Sequence, residues 1–319
     1  MKNRLSQHFL LIFAIIGIDY LDDCGGIDVS ELQADGLDQW KEHVFELYHT
    51  DDFPLDVNGL TYFALTDALI KYAGWAEQPL VYFWPSDPLI FLGMVDSKLP
   101  HLNDGLKVFE EAGYEYIVRN SGGLAVVSDP GVLNFSIIFP EEHQRLDINR
   151  AYSRMHELIS QALAPYGVEV NAIEVPESYC PGDYDLSIHG RKIAGISQRR
   201  IGQGVAVMIY ISMNGDQDVR SRLIKSFYDR GLQGKTINWD YPDIDPSVMT
   251  TVEAEIGEPI DVAKMTELII QVLQDNAHGQ ALREGNFTHD ILSTYMTAYD
   301  KMVMRNKKLL GSAFDKEAY

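Results

Sequence analysis

One cysteine and one lysine near the middle of the chain are suited to nucleophilic chemistry. Cys180 is followed at once by Pro181 and Gly182, a turn sequence that predicts a surface loop. A strand-like run and a His-Gly turn come next, so a hairpin is predicted to bring Lys192 back towards the cysteine. A free thiol has a pKa of about 8.5, and an adjacent ammonium favours the thiolate, which is the nucleophile. The spacing therefore predicts a cysteine nucleophile assisted by a lysine.

For each of these two residues there is also an interpretation without a chemical role. A lone cysteine is often a small buried hydrophobic residue, and most lysines are solvated surface charges. The turn sequence around Cys180 favours the chemical role, because turns lie at the surface, where a cysteine without a function is a liability.

Length, charge and cysteine content limit the class of protein. The chain has 319 residues, of which 46% are hydrophobic, so it can form a real core in one large domain or two small ones. A formal net charge of −21 argues against a nucleic-acid partner, which requires a basic surface. Cys24 and Cys180 are far apart and form no disulfide framework, so a cytoplasmic location is expected.

The first residues partly mimic a secretion signal. Lys2 and Arg4 precede an apolar run at 9–18, but aspartates follow it and there is no small-residue cleavage site. A run of this length is too short to cross a bilayer, which takes about 20 residues. We therefore expect residues 1–38 to be an extension of uncertain structure, with secretion as the minority alternative, and we expect no membrane partner.

The pattern of elements predicts an α+β fold. Strands in hairpin-like succession, rather than strict strand–helix alternation, argue against a doubly wound sheet. We predict a mixed, largely antiparallel sheet flanked by helices, with a catalytic domain at 39–235 and a smaller C-terminal part, a linker and helices, at 236–319. The predicted strands include 114–119, 124–128, 132–138, 168–175, 184–188, 191–201 and 204–212. The predicted helices are 30–48, 60–72, 106–112, 148–166, 216–230, 262–276 and 288–310.

Two blocks of sequence resemble a known family. Residues 178–200, SYCPGDYDLSIHGRKIAGISQRR, are similar to the signature block of the octanoyl-[H protein]:protein N-octanoyltransferases, a lipoate-assembly group of the biotin/lipoate protein ligase superfamily. Residues 118–136, VRNSGGLAVVSDPGVLNFS, resemble the acyl-pocket motif of that superfamily. The resemblance runs from about 62 to 232, and the fold it implies agrees with the predicted α+β class.

The second block is the candidate acyl pocket. A Gly-Gly pair between two strands is ordinarily a simple hairpin turn. Glycines also let a ligand lie against bare backbone. The apolar residues predicted to wall the acyl chain are Ala125, Val126, Val127, Leu133 and Phe135. With the resemblance, the candidate substrate-binding residues are Arg119, Asn120, Ser121, Gly122, Gly123, Asp129, Asn134, Gly190, Ala194 and Gly195. Backbone amides near Gly122, Gly123 or Gly195 are the predicted oxyanion hole.

The resemblance implies transfer without ATP. In this family an octanoyl or lipoyl group passes from a lysine of the glycine cleavage H protein to a lysine on E2 lipoyl domains of 2-oxoacid dehydrogenases. Cys180 would carry the group as a thioester, with Lys192 supporting the thiolate. ATP-using lipoate ligases carry a third glycine and a histidine where this chain has Leu124 and Ser128, and the chain has no phosphate-binding loop motif. The histidines show no metal-ligand spacing, so neither a cofactor nor a metal is expected.

Three alternatives remain open from sequence. The first is an octanoyltransferase that takes its acyl group from acyl carrier protein, and the second is an ATP-dependent lipoate-protein ligase. A non-catalytic lipoyl-domain-binding module is the third, although intact Cys180 and Lys192 argue against it. Acidic lipoyl domains would be repelled by this acidic protein, so we also predict a local basic rim. Its residues are Arg119, Arg191, Lys192, Arg199 and Arg200.

Overall fold

A sheet of eight strands and a sheet of three strands form the framework of the protein. The computed structural model describes residues 43–141 and 145–314. The strands are β1 (Glu46–His49), β2 (Leu80–Trp84), β3 (Leu89–Leu92), β4 (Glu115–Val118), β5 (Val126–Ser128), β6 (Val132–Pro140), β7 (Asn171–Ala172), β8 (Leu186–Ile188), β9 (Arg191–Ile201), β10 (Gly204–Ser212) and β11 (Arg283–Glu284). The helices are α1 (Gly59–Ala76), α2 (Leu102–Glu111), α3 (Ile148–Leu163), α4 (Gln217–Leu232), α5 (Val252–Ile256), α6 (Val262–Asn276) and α7 (His289–Leu310).

The large sheet is mixed and mainly antiparallel. Its order is β11-β1-β2-β6-β10-β9-β8-β7, and the pairings of β1 with β11 and with β2 are parallel. The other neighbours in this sheet pair antiparallel. The predicted α+β class with a largely antiparallel sheet is therefore confirmed.

The long strands at the centre of the sheet supply two cores. Side chains alternate between the faces of a strand, so Val205 and Val207 of β10 pack with α3 and α6, whereas Ala206 and Met208 pack with α1 and α7. The bounds predicted for β9 and β10 coincide with those observed. A long alternating run followed by an apolar run is a strong strand signal, and the short turn between them leaves little freedom in the pairing.

Helix α1 lies at the centre of one of these cores. Asn58 caps its first turn by accepting a hydrogen bond from Leu60 N at 3.0 Å, and Thr61 Oγ1 accepts one from Asn58 N at 3.1 Å. Buried residues occupy nearly every position from Gly59 to Ile70, because the helix contacts β6 and β10 as well as α7. The predicted helix at 60–72 is thus confirmed, but it is longer and more fully buried than an amphipathic surface helix.

Two predicted elements differ in the structure. The helix predicted at 30–48 is wrong at its described end, where β1 occupies Glu46–His49, and residues 30–42 lie outside the described ranges. Phe45 and Leu47 pack in one core, and Tyr48 packs in the other, as the alternating side chains of a strand do. The spacing of these apolar residues also fits one face of a helix, which is why the sequence predicted one. The strand predicted at 168–175 shrinks to the two residues of β7.

The simple hairpin interpretation of the Gly-Gly segment is wrong. Strands β4 and β5 do not pair with each other, because β3 lies between them in the order β4-β3-β5. β3 runs parallel to β4 and antiparallel to β5, so the segment at 119–125 crosses the end of β3. The crossing is close: a Cβ on Gly93 would lie 1.9 Å from the carbonyl oxygen of Gly123. Only glycine at position 93 leaves room for this segment.

The segment after position 235 packs on the rest of the protein. α6 contacts α3, α7 contacts α1, and β11 adds to the edge of the large sheet. The division of the chain at 39–235 and 236–319 stays a prediction, and residues 1–38 lie outside the described ranges. In the part of the chain that the structure describes, no helix combines the length and the apolar character that crossing a membrane requires.

Candidate active site

Cys180 lies in the loop between β7 and β8, with its thiol half-buried. Its backbone has a φ of +49°, in the left-handed region that residues other than glycine seldom adopt. Sγ accepts a hydrogen bond from Leu124 N at 3.1 Å and one from the Arg119 guanidinium at 3.5 Å. The sulfur thus has a cation and a backbone N–H directed at it, two groups that can stabilise negative charge developing at this point.

The segment at 119–125 is shaped to reach the thiol. Arg119 is almost fully buried, and its Nη2 also donates to Leu124 O at 2.8 Å, which closes the segment on itself. Gly123 has a φ of +94°, and a Cβ there would lie 2.8 Å from Sγ of Cys180 and 2.5 Å from Nη2 of Arg119. The second glycine of the pair is therefore required by both its backbone angle and its contact with the nucleophile.

Lys192 reaches the same loop but contacts its backbone. The predicted hairpin of β8 and β9 forms, with His189 and Gly190 at positive φ in the turn. Nζ of Lys192 donates to the carbonyl oxygens of Cys180 at 2.8 Å and of Tyr179 at 3.0 Å. The ammonium thus contacts the carbonyl of the cysteine, whereas the cation at the sulfur is Arg119.

Lys192 also forms a buried ion pair. Its Nζ lies 2.9 Å from Oδ1 of Asp185, and both side chains are excluded from solvent. Burial raises the pKa of Asp185, and the ammonium of Lys192 opposes that rise. Asp185 further accepts a hydrogen bond from Gly182 N at 3.2 Å, two residues after the nucleophile. The pair therefore fixes the loop on both sides of Cys180.

An apolar cavity of about 270 Å³ opens beside the thiol. Small-molecule pockets are commonly about 300–1,000 Å³, so this cavity suits a thin ligand such as a medium acyl chain. Its apolar walls come from six elements of the framework and include Phe63, Trp84, Phe91, Val126, Ile196 and Met208. Of the five residues predicted to wall an acyl chain, only Val126 lines this cavity. Ala125 and Val127 belong to one core, and Leu133 and Phe135 belong to the other.

The predicted binding residues divide between the cavity and its surroundings. Arg119, Gly122, Gly123, Asn134 and Gly195 line the cavity, together with Cys180. Asn134 is oriented by a hydrogen bond from its Nδ2 to Ser128 Oγ at 2.9 Å.

The other predicted binding residues have different surroundings. Asp129 pairs with Arg220 and accepts a hydrogen bond from Tyr114, Gly190 lies in the β8–β9 turn, and Ala194 is buried in a core. Asn120 and Ser121 are buried beside the cavity, and the carbonyl of Asn120 accepts a hydrogen bond from Arg199 at 2.8 Å.

The predicted basic rim does not form. Arg119 and Lys192 are buried, and the remaining three arginines are each paired with a carboxylate of this chain. Those pairs are Arg191 with Glu255, Arg199 with Asp67, and Arg200 with Glu141. The arginines therefore neutralise internal acids rather than present a basic surface.

A buried acid lies behind Arg119. Asp96 accepts hydrogen bonds from Gly93 N at 2.7 Å and from the Tyr228 hydroxyl at 2.9 Å. Tyr228 in turn accepts a hydrogen bond from Ala125 N at 3.3 Å, next to the segment that reaches the thiol. Burial raises the pKa of Asp96 to about 7, against the opposing effect of its hydrogen bonds and of the nearby Arg119.

Three groups of the site were not predicted from the sequence. The N–H of Leu124 has no sequence signature, because only the crossing over β3 aims it at Cys180. Asp185 had one available signal: it is an acid at the start of a strand-like run, and acids seldom occupy such positions without a partner. Asp96 follows a strand and a glycine, where an acid is ordinary. Within the described ranges, no group of three His, Cys, Asp or Glu side chains could hold a metal ion.

Comparison with known proteins finds related sequences and related folds. The family model for the lipoyl protein ligase A/B catalytic domain matches residues 58–274. The chain is 39% identical over 252 residues to the octanoyl-[GcvH]:protein N-octanoyltransferase of Geobacillus kaustophilus, an alignment that covers 78% of this chain and 87% of the relative. It is 38% identical over 249 residues to the lipoyl-[GcvH]:protein N-lipoyltransferase of Listeria monocytogenes, covering 78% and 89%.

Solved structures share the fold. A lipoate-protein ligase A bound with ATP superposes with a TM-score of 0.65 at 18% identity, over 85% of this chain and 99% of that chain. A lipoate protein ligase from Thermoplasma acidophilum with bound lipoic acid gives a TM-score of 0.62 at 18% identity, over 83% and 99%. The family resemblance predicted from the two sequence blocks is confirmed. The chain belongs to the lipoyl protein ligase A/B catalytic domain family.

Proposed function

We propose that this chain is an acyltransferase that moves an octanoyl group from a lysine of the glycine cleavage H protein to a lysine on an E2 lipoyl domain, through a thioester on Cys180. The observation that carries this proposal is the thiol of Cys180, which lines an apolar cavity and accepts hydrogen bonds from a guanidinium and a backbone amide. The names of the relatives support the H protein as donor. The E2 acceptor rests on the resemblance of the two sequence blocks.

The first step forms the thioester. The thiolate of Cys180 attacks the carbonyl carbon of the donor amide, so that an S–C bond forms and the carbonyl electrons move to oxygen. This oxyanion develops next to Sγ, where Leu124 N–H and the Arg119 guanidinium are already directed. The C–N bond then breaks, and the donor lysine leaves as an amine that has taken up a proton.

The second step transfers the group. The amine of the acceptor lysine attacks the thioester carbon, the C–S bond breaks, and the thiolate of Cys180 is restored while the new amide nitrogen loses a proton. A thioester is more reactive than an amide towards amines, so the intermediate divides a very slow exchange into two faster steps. The acyl chain stays in the apolar cavity throughout.

Lys192 acts in this scheme by holding the nucleophile's loop. Its ammonium donates to the carbonyl of Cys180 and pairs with Asp185, which in turn binds Gly182 N. The strained backbone of Cys180 is held by these contacts, since a residue other than glycine at positive φ persists only when its surroundings fix it. The electrostatic support for the thiolate comes from Arg119 instead.

The proposal includes independence from ATP and from metals. Both amides have similar energies, so exchange between them needs no external energy source. Leu124 and Ser128 stand where adenylate-forming ligases carry a glycine and a histidine, which is the residue-level support for this part of the proposal.

The decisive experiment is an intact-mass measurement. Cys24→Ser protein, mixed briefly with octanoylated H protein without nucleotide, should gain the mass of one octanoyl group that hydroxylamine removes at neutral pH. Peptide mapping should locate the group on Cys180, and Cys180→Ser should neither form the adduct nor transfer the group. An adduct on another residue, or a strict requirement for ATP with release of pyrophosphate, would contradict the proposal. Octanoyl acyl carrier protein as sole donor tests the alternative source.

Lipoyl transfer is the second candidate. The Listeria relative is named a lipoyl-[GcvH]:protein N-lipoyltransferase and is about as similar to this chain as the octanoyltransferases are. The same measurement with lipoylated H protein, compared at equal donor concentration, decides which group the cavity prefers.

A further inference from the structure

The C-terminal helix supplies a buried side chain to the strand that leads into the active site. β4 is an edge strand of the three-stranded sheet, and it pairs with β3 on one side only. On the other side, Asn306 of α7 bonds both backbone groups of Val118: its Oδ1 accepts from Val118 N at 2.6 Å, and its Nδ2 donates to Val118 O at 3.0 Å. Asn306 is completely buried. The asparagine thus pairs with the edge of β4 as a neighbouring strand would.

This pairing suits an amide side chain in particular. A side-chain amide has both a carbonyl acceptor and N–H donors, the same groups that a peptide presents. An apolar side chain at 306 would bury the N–H and C=O of Val118 without partners, which is costly in a protein interior. The second proton of Nδ2 donates to Met302 O at 3.0 Å, so the orientation of the amide is fixed by its own helix.

Val118 directly precedes the residue whose guanidinium contacts the nucleophile. Arg119 N donates to Leu92 O at 2.9 Å, which ties the same point of the chain to β3. The Arg119 side chain then reaches Leu124 O at 2.8 Å and Cys180 Sγ at 3.5 Å. The backbone at 118–119 is therefore held from both sides, and its position determines where the guanidinium lies.

Other contacts of the same helix fall on the same region. Tyr116 of β4 donates to Ala313 O at 3.3 Å, just beyond the end of α7. Arg305 donates to Met94 Sδ at 3.0 Å, in the segment after β3 that Gly93 begins. Burial and the nearby Arg199 lower the pKa of Arg305. The end of α7 thus lies against β4, which leads into the segment at 119–125, and against the segment that follows β3.

We propose that Asn306 is a positioning residue for acyl transfer: by pairing both backbone groups of Val118, it holds Arg119 against Sγ of Cys180. This inference rests on the proposed role of Cys180, and it assigns the C-terminal helix a part in the reaction. Asn306 lies beyond residues 58–274, the segment that the family model matches. The active site is therefore completed by a helix outside the matched segment.

The test measures the reactivity of Cys180 towards iodoacetamide as a function of pH, in a Cys24→Ser background. Asn306→Leu removes both hydrogen bonds, and we expect alkylation at neutral pH to slow by about tenfold, the scale of one hydrogen bond to a charged group. In an Arg119→Met background, Asn306→Leu should add no further change, because the two residues act through one contact.

A control separates positioning from stability. Leu310→Ala, one turn further along α7, removes a buried side chain of the same helix but leaves the amide of Asn306 intact. It should lower the melting temperature and leave the alkylation profile of the folded protein unchanged. If Asn306→Leu does not yield folded protein, Asn306→Ser replaces it in the same cycle.

Two results would overturn the inference. Folded Asn306 variants that alkylate like the parent would show that the contact is structural only, and additive effects with Arg119→Met would show that Asn306 acts elsewhere. Alkylation needs no acyl donor, so these results are independent of whether the protein accepts octanoylated H protein.

Discussion

The guanidinium of Arg119 lies 3.5 Å from Sγ of Cys180, while the ammonium of Lys192 lies 2.8 Å from the carbonyl oxygen of the same residue. The two cations of the site therefore have separate tasks. Arg119 can stabilise negative charge on sulfur, and Lys192 fixes the backbone that carries the sulfur.

Arg119→Met should slow both alkylation of Cys180 and acyl transfer. The substitution keeps most of the side-chain volume and removes the hydrogen bond and the charge at sulfur, so alkylation at neutral pH should slow. We expect transfer to fall on the order of 10²-fold, as for loss of one donor to a developing oxyanion. Arg119→Lys, which keeps the charge on a shorter side chain, should lie between the parent and Arg119→Met. An unchanged rate of Cys180 alkylation in Arg119→Met would exclude a role of Arg119 at the sulfur.

Lys192→Met should act mainly through stability. The methionine leaves the buried carboxylate of Asp185 without its cation, and breaking such a pair costs about 3–5 kcal/mol of unfolding free energy at neutral pH. The double variant Lys192→Met/Asp185→Leu should recover part of that loss. Urea denaturation of the three proteins measures the difference. Equal stability of Lys192→Met and the parent would mean that the ion pair contributes nothing.

The instability of Lys192→Met should also depend on pH. Burial raises the pKa of Asp185 in the folded protein above its value of about 3.9 in the unfolded chain. The folded state then binds this proton more tightly, so the contribution of Asp185 to stability is fully present below about pH 4 and is lost as the pH rises through the folded pKa. The deficit of Lys192→Met relative to the parent should therefore be smaller at pH 5 than at pH 8. A deficit that grows on acidification would contradict this assignment.

Gly123→Ala should disable the thiol, whereas Gly122→Ala should leave its reactivity intact. An added methyl at 123 would lie 2.8 Å from Sγ of Cys180 on a backbone with a φ of +94°, so the segment must move away. At 122 the added methyl meets no atom within 4 Å. Iodoacetamide labelling of both variants at neutral pH gives the comparison. Equal labelling rates would mean that Gly123 does not need to approach the sulfur.

Asp96→Asn should flatten the dependence of stability on pH. The pKa of Asp96 is raised by burial to about 7, so the folded state holds its proton at pH values where the unfolded chain has lost it. Stability is then lost as the pH rises from about 4 to about 7, with a slope of up to 1.4 kcal/mol per pH unit. Unfolding free energies of parent and variant across this window should diverge. Parallel curves would show that Asp96 titrates normally.

Much of the framework was predictable because its signals are local. β9 and β10 form one long hairpin whose alternation and short turn leave little freedom, and their bounds coincide with the prediction. The order β4-β3-β5 was not predictable in this way. Successive strands usually pair, but here β3 lies between the two strands that follow it in the chain, and the glycine at position 93 leaves room for the segment that crosses over.

The approach of Lys192 to the loop of Cys180 was predictable, but the atoms that meet were not. The turn sequence and the hairpin correctly brought Lys192 to Cys180, yet which atoms meet depends on the backbone of Cys180. With a φ of +49°, its carbonyl meets Lys192 while its sulfur meets Leu124 and Arg119. A residue other than glycine that adopts left-handed backbone angles has no reliable sequence signal. The contribution of Asn306 was equally hidden, since it lies almost two hundred positions from its partner Val118.

β1 and β11 are near opposite ends of the described chain and yet are neighbours in the large sheet, where Arg283 N donates to Phe45 O and Gly285 N donates to Leu47 O. During synthesis the amino-terminal segment leaves the ribosome first, so the outer edge of β1 has no strand partner until nearly the whole chain has emerged. An unpaired edge is a template for association with other chains. The outer edge of β1 therefore stays without its strand partner for most of translation, and the emergence of β11 is the event that allows it to be covered.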